Sequence, residues 1–236
     1  MTTQTSYNMW DKKKYILELK KVAVFQRKTS ILSAIDLQIR PAEFIYILGP
    51  TGVGKSSFLK ILYGELAITE GQGRILDFEL GQLDSLSLSA LRRNLGIVAQ
   101  EYPLLDHRTV EENLMMILRA TDWTDAELCN KRIDELLNLL KIGDKRQLKP
   151  SELTKSDRQR ALIARALLNR PSILILDEST AELDESSAND IHSFLHSYAA
   201  TTGTTVLYAT NNENLTKNTK GRVLKLEGGK ANIISA

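Results

Sequence analysis

Residues 49–56 read Gly49-Pro50-Thr51-Gly52-Val53-Gly54-Lys55-Ser56, a glycine-rich loop that decides the fold class of this 236-residue chain. A continuous apolar run precedes the loop at 44–48, and residues 57–63 follow it with helical spacing. A strand, a glycine loop and a helix in this order surround a phosphate with backbone N–H groups at a helix N-terminus. Lys55 then reaches the terminal phosphates, and the Ser56 hydroxyl ligates Mg²⁺. The pattern predicts a nucleotide-binding α/β domain.

The composition excludes several protein classes. Hydrophobic residues make up 42% of the chain and charged residues 25%, which suits a packed core and argues against a disordered or fibrous protein. With 31 Lys+Arg against 29 Asp+Glu, the net charge of +2 gives no reason to expect nucleic acid as a partner. The longest hydrophobic runs, at 44–48 and 114–118, are far shorter than the roughly 20 residues of a membrane-spanning helix. The lone Cys129 fits a reducing cytoplasm, where we expect it to be an inert small residue.

Hydrophobic periodicity divides the chain into two α/β parts around a mostly helical middle, which spans about 85–149. Residues 1–14 are polar and are expected to be a solvated tail. Strands are predicted at 15–19, 22–25, 35–39, 44–48, 173–176 and 205–209, and further helices at 156–169 and 186–198.

Two carboxylates stand at the end of a second apolar strand. Asp177 and Glu178 directly follow the run at 173–176. An Asp at a strand end beside the glycine loop holds Mg²⁺ through water, while the next carboxylate points elsewhere and polarises an attacking water. Together with the glycine loop, the pair predicts nucleotide hydrolysis.

These motifs, in this order, resemble the ATP-binding subunits of ABC transporters. The Walker A loop is 49–56, the Walker B strand is 173–177, and 181–184 resembles the D-loop. Gln100 matches the Q-loop glutamine, which the family uses to contact Mg²⁺ and to couple to a membrane subunit. Phe25 stands where the family has an aromatic residue that stacks on adenine.

The resemblance implies a P-loop NTPase (RecA-like) core with a parallel sheet, an N-terminal antiparallel β part and an inserted α-helical subdomain at about 85–155, all within a domain at 15–236. It also implies a dimer that encloses two ATP molecules, in which each ATP site receives residues 154–156 of the other subunit. Glu178 is the implied catalytic base. Lys55, Gln100 and Asn211 complete the expected catalytic set. The implied ATP contacts are Phe25, Gly49, Pro50, Thr51, Gly52, Val53, Gly54, Lys55, Ser56, Ser57, Thr154, Lys155 and Ser156, and the implied Mg²⁺ ligands are Ser56, Gln100 and Asp177.

Within this family the segments 91–105 and 108–113 are most similar to the FtsE subfamily of cell-division ATPases, which pair with the membrane protein FtsX. The LolD and MacB transporter ATPases are similar enough to stay alternatives. The similarity implies a cytoplasmic protein bound peripherally to the inner face of the cell membrane through an integral membrane partner.

Two motifs depart from the family pattern. The signature motif, normally Leu-Ser-Gly-Gly-Glu or Gln, reads Leu153-Thr154-Lys155-Ser156-Asp157, and Asn211 stands where the family has a histidine. Lys155 places a long cation where close backbone approach is needed, and asparagine cannot take up a charge. We therefore expect slow hydrolysis.

Three alternatives remain open at this point. A homodimer, the expected assembly, repeats both defects, whereas a heterodimer partner would supply an intact signature and histidine. A regulatory scaffold that binds ATP and scarcely hydrolyses it fits the same defects. A small-molecule kinase is the third alternative.

His192 and His196, at i and i+4, are expected on a surface helix rather than in a metal site.

Overall fold

A computed structural model of the chain describes residues 14–26, 29–217 and 221–235. Its strands are β1 (Leu17–Gln26), β2 (Thr29–Ile39), β3 (Phe44–Leu48), β4 (Glu70–Ile75), β5 (Phe78–Glu79), β6 (Leu95–Val98), β7 (Ile173–Asp177), β8 (Thr205–Thr210), β9 (Arg222–Glu227) and β10 (Lys230–Ser235). Its α-helices are α1 (Lys55–Leu62), α2 (Ser85–Arg93), α3 (Val110–Ala120), α4 (Ala126–Leu139), α5 (Lys155–Leu167), α6 (Glu185–Thr202) and α7 (Asn214–Lys217).

The central sheet has six strands in the order β10-β9-β3-β8-β7-β6. The five strands from β9 to β6 are parallel, and β10 pairs antiparallel at one edge. A second, antiparallel sheet has the order β2-β1-β4-β5. This mixed architecture confirms the predicted fold class, with a parallel core and an N-terminal antiparallel part.

Two hydrophobic clusters lie on opposite faces of the central sheet, and β3 contributes to both. Phe44, Tyr46 and Leu48 pack with residues of α3, α4, α5 and α6. Ile45 and Ile47 pack instead with α1 and the antiparallel sheet. A strand covered on both faces has no polar side to expose, which explains its continuous apolar sequence.

The structure differs from the sequence-based prediction at the N-terminal strands. The segments 15–19 and 22–25 form one strand, β1, which is irregular between Leu19 and Val22. Lys21 there has a φ of 51°, so a bulge breaks the alternation of side chains without ending the strand. The polar tail predicted at 1–14 lies outside the described residues, except for Lys14.

The helical prediction for 85–149 is incomplete, because β6 lies inside it and pairs in parallel with β7. The residues on both sides of that strand are helical, in α2, α3 and α4. A separate helical subdomain at about 85–155 therefore stays a prediction. None of the helices in the described ranges is both long and apolar enough to cross a membrane.

Candidate functional site

The glycine loop leaves the carboxyl end of β3 and ends where α1 begins, at Lys55. Gly52 and Gly54 have φ values of 83° and 106°, a left-handed conformation that glycine adopts without strain. A Cβ at Gly49 would lie 2.7 Å from Val53 Cγ1 and 2.8 Å from Leu226 O, so only glycine fits that position. The loop thus turns tightly and directs the N-terminus of α1 toward its concave side, where an anion is stabilised.

Lys55 is held across this loop although its side chain is almost fully buried. Its Nζ donates hydrogen bonds to the carbonyl oxygens of Gly49 at 2.7 Å and Pro50 at 3.1 Å. The same Nζ lies 2.9 Å from Glu178 Oε1. The predicted phosphate-binding lysine and the predicted catalytic glutamate are therefore paired with each other in this structure.

Asp177 ends β7 and has a buried carboxylate oxygen, Oδ1, without a hydrogen-bond partner. Burial raises the pKa of Asp177, and a hydrogen bond from Ser56 opposes that increase. An orphaned carboxylate oxygen beside a serine hydroxyl is the hard oxygen donor set that Mg²⁺ prefers. The residues present therefore fit the metal that the sequence predicts.

Glu178 occupies an unusual backbone conformation, with a φ of 47°. Its N–H donates to the carbonyl oxygen of Ala209 at 3.0 Å, which ties the end of β7 to β8. Its side chain is 21% exposed, so a carboxylate there meets both Lys55 and solvent.

One cavity of about 480 Å³ brings together residues that are distant in the sequence. It lies at the carboxyl ends of the parallel strands, where ligands of open α/β sheets bind. The predicted site residues that line it are Thr51, Gly52, Gly54, Lys55, Ser56, Ser57, Gln100, Asp177 and Glu178.

The remaining predicted residues are not among the described residues that line this cavity. Phe25, on β1, is 40% exposed and is not among the described residues that line the cavity, so its contact with adenine stays a prediction. Asn211 is close, because its Nδ2 donates to Thr51 Oγ1 at 3.4 Å. Gly49, Pro50 and Val53 belong to the loop itself.

The predicted signature residues Thr154, Lys155 and Ser156 begin α5. Thr154 caps the helix, and its Oγ1 donates to Asp157 Oδ2 at 2.8 Å and accepts from Asp157 N at 3.1 Å. Lys155 Nζ lies 3.4 Å from Glu182 Oε2, and both side chains are exposed. Lys155 also lines a second cavity of about 240 Å³, whose wall includes Gln100 and Glu178.

Sequence reasoning missed the residues that fix the chain after Gln100. Lys60 Nζ lies 2.7 Å from Glu101 Oε1 and 3.2 Å from Glu65 Oε1. The Tyr102 hydroxyl donates to Glu65 Oε2 at 2.5 Å. Hydrogen bonding to Lys60 lowers the pKa of Glu101, so this carboxylate stays charged beside the cavity. In the sequence, the signal for the role of Glu101 is its position next to Gln100.

The prediction for the two histidines of α6 is wrong in one respect, because His192 does not lie on the surface. It is 5% exposed, and its ring packs against Tyr208 with 4.5 Å between centroids. His196 Nε2 lies 2.7 Å from the Tyr46 hydroxyl. Among the described residues, no group of three or more His, Cys, Asp or Glu side chains is placed to hold a metal ion.

Comparisons with known proteins agree with this geometry. The family described as "ABC transporter" matches residues 32–181. The "Cell division ATP-binding protein FtsE" of Streptococcus pneumoniae serotype 2 is 34% identical over 91% of this chain and 93% of its own length. The "Methionine import ATP-binding protein MetN" of Clostridioides difficile is 32% identical over 91% of this chain and 66% of its own length. Among solved structures, a dimeric ATP-binding cassette in a post-hydrolysis state with ADP and Pi has a TM-score of 0.83 and 29% identity, over 93% of this chain and 98% of that one.

Proposed function

Because the chain belongs to the ABC transporter family of ATP-binding subunits, we propose that it is the ATPase of an FtsE–FtsX-type complex, which couples ATP-driven dimer closure to a membrane partner in cell division. The other proteins named FtsE, such as that of Bacillus subtilis at 33% identity over 91% of this chain, support the subfamily. An importer subunit is the alternative, because the methionine importer subunit MetN is nearly as similar.

One observation carries the proposal: Lys55, Ser56, Asp177 and Glu178 meet in a single cavity. The phosphates of ATP would lie on the glycine loop, with Lys55 at the terminal phosphates and Phe25 against the adenine. Ser56, Gln100 and Asp177 would hold Mg²⁺, which neutralises charge that develops on the phosphates.

Glu178 would accept a proton from the attacking water. In the structure its carboxylate pairs with Lys55 at 2.9 Å, so a bound triphosphate has to replace Glu178 as the partner of this lysine. ATP binding would thereby release the carboxylate to orient water in line with the terminal phosphate. The pair thus links occupation of the loop to the availability of the base.

We expect hydrolysis to be slow, for reasons that lie in two side chains. The Thr154 hydroxyl already bonds Asp157 within its own helix turn, so binding a phosphate oxygen requires it to give up that bond. Asn211 reaches Thr51 but offers an amide that cannot be protonated. A scaffold that binds ATP and hydrolyses very little is the limiting case of the same proposal.

The assembly we propose is a homodimer on the cytoplasmic side of the membrane, held there by an integral membrane partner of FtsX type. The dimeric cassette among the similar structures supports two copies. A heterodimer with a partner that has an intact signature and histidine is the alternative, since such a partner would restore one composite site.

Phosphate release at saturating ATP and Mg²⁺ tests the catalytic part of this proposal. We expect Glu178→Gln to lower the rate by about 100-fold, because a positioned general base typically contributes 10²–10⁴. Lys55→Ala should lose ATP binding as well. Glu127→Gln, which changes an exposed glutamate of α4, is the matched control and should leave the rate unchanged. Equal rates for the native chain and Glu178→Gln would leave no role for Glu178 as the base and would favour the scaffold.

A further inference from the structure

We propose that Tyr208 is a positioning residue for Glu178, acting through a hydrogen bond to Thr180 that fixes the turn on which Glu178 lies. The inference rests on the proposed function, because it assumes that Glu178 is the base. It concerns a buried polar contact between two residues that do not line the nucleotide cavity, rather than a group that touches ATP.

The turn after β7 needs such a restraint. Glu178 has a φ of 47°, and a residue with a long side chain is strained in this region. Strain of this kind persists only where the surroundings enforce it. Two backbone bonds contribute, from Glu178 N to Ala209 O at 3.0 Å and from Ala181 N to Glu178 O at 3.1 Å. Another backbone bond, from Leu183 N to Thr180 O at 3.1 Å, holds the main chain of Thr180 within the same turn but does not connect it to the sheet.

A further restraint on the turn is a hydrogen bond between two side chains. The hydroxyl oxygens of Thr180 and Tyr208 lie 2.5 Å apart, and both residues are buried, at 6% and 0% exposure. Tyr208 belongs to β8, in the middle of the sheet, opposite Leu176 of β7. The bond therefore connects the turn that carries Glu178 to a buried central strand of the sheet.

Aromatic neighbours fix the direction of the Tyr208 ring. His192 of α6 lies 4.5 Å from it and Tyr46 of β3 lies 6.0 Å from it, measured between ring centroids. Burial raises the pKa of Tyr208, so the phenol keeps its proton at neutral pH. A buried hydroxyl without a partner is costly, which favours the bond to Thr180 over any looser arrangement.

Removing this bond should affect turnover and leave nucleotide binding intact. The groups expected to bind ATP, Lys55 and Ser56, stand on α1 and the glycine loop, which the bond does not touch. A relaxed turn would move the Glu178 carboxylate away from the attacking water. We therefore expect kcat to fall roughly three- to tenfold, as the loss of one hydrogen bond allows, at unchanged KM.

The experiment measures kcat, KM and thermal unfolding for Tyr208→Phe, Thr180→Val and the double variant. Tyr46→Phe is the matched control, because it removes another buried phenolic hydroxyl, which bonds His196 at 2.7 Å. We expect Tyr208→Phe and Thr180→Val to lower kcat equally, the double variant to lower it no further, and Thr180→Ser to restore it. Tyr46→Phe should retain the native kcat.

The outcomes distinguish this inference from the proposed function. A Tyr208→Phe variant with the kcat of Tyr46→Phe would overturn the positioning role, even while Glu178→Gln lowers the rate by about 100-fold. Additive effects of the two single variants would overturn it as well. Native hydrolysis that survives Glu178→Gln would instead overturn the proposed function. If Tyr208→Phe does not fold, Thr180→Val against Thr180→Ser still decides the question.

Discussion

At the scale of the residue, Asn211, where the sequence analysis expects a histidine of the family, contacts a residue that lines the predicted nucleotide cavity. It is exposed, and its Nδ2 lies 3.4 Å from Thr51 Oγ1 in the glycine loop. A histidine side chain is longer and can carry a charge beside the terminal phosphate. An imidazole at this position would therefore lie beside the glycine loop.

We accordingly expect Asn211→His to raise the turnover number roughly tenfold, measured as phosphate release at saturating ATP, because an imidazole can bind the terminal phosphate and orient water. Asn212→His is the matched control, since it places the same side chain one residue later, on another exposed asparagine. An equal increase in both variants, or none in Asn211→His, would mean that Asn211 does not limit hydrolysis.

At the scale of the element, the sequence predicts best the strands that are buried on both faces. β3 has the predicted bounds, and β7 and β8 each extend one residue beyond theirs. The sequence does not predict β4, because its first half is exposed and the strand contains two glycines, Gly71 and Gly73, which erase the alternation of a strand. β6 was missed because it has only four residues and follows α2 directly.

The candidate site likewise has features that the sequence predicts and contacts that it does not. The glycine loop and the Asp177-Glu178 pair are local motifs, so the sequence alone locates them. The contact of Lys55 with Glu178 and that of Thr180 with Tyr208 depend on the order and register of β3, β8 and β7. No spacing in a single sequence reports that order, and His192 was misplaced for the same reason.

The burial of His192, where α6 packs against the sheet, predicts how the stability of the protein depends on pH. Burial, with a smaller effect of His196, lowers the pKa of His192 to about 4, from an ordinary value near 6.5. Neither ring nitrogen has a hydrogen-bond partner in the described structure. Above pH 6.5 the folded and unfolded states are both neutral at this residue. Between pH 6.5 and about 4 only the unfolded state takes up the proton, so stability falls as the pH falls.

His192→Leu removes this loss, so the difference in free energy of unfolding between the variant and the native chain should be roughly 2 kcal/mol higher, in favour of the variant, at pH 5 than at pH 8. Urea unfolding at the two pH values measures the difference. His107→Leu, at an exposed position in the loop before α3, is the control and should show no such change. Burial also lowers the pKa of His196, so part of the slope will remain in His192→Leu. An equal stability change at both pH values would contradict a neutral, buried His192.

At the scale of the whole molecule, a groove runs between the edge of the central sheet and the helices α2, α3 and α5. It has a volume of about 540 Å³ and is lined by apolar side chains, such as Ile97 and Ile117, and by three arginines. Arg165 donates to the carbonyl oxygens of Pro103 and Tyr102, in the segment after Gln100. A partner seated in the groove would therefore contact the segment that continues from the nucleotide cavity.

We expect the membrane partner of the proposed complex to bind in this groove through a segment with apolar and acidic residues, which matches the apolar wall and the arginines. Ala120→Glu places a larger, charged side chain at an exposed position on the groove wall, so it should lower the yield of copurified membrane protein at least tenfold while phosphate release by the isolated chain stays unchanged. Ala126→Glu, at an exposed position at the start of α4, is the control and should copurify normally. Undiminished copurification of Ala120→Glu would place the partner elsewhere. The captured protein also tests the subfamily, because a four-span protein with an extracytoplasmic domain supports the FtsX type, whereas a six-span transporter core favours an importer.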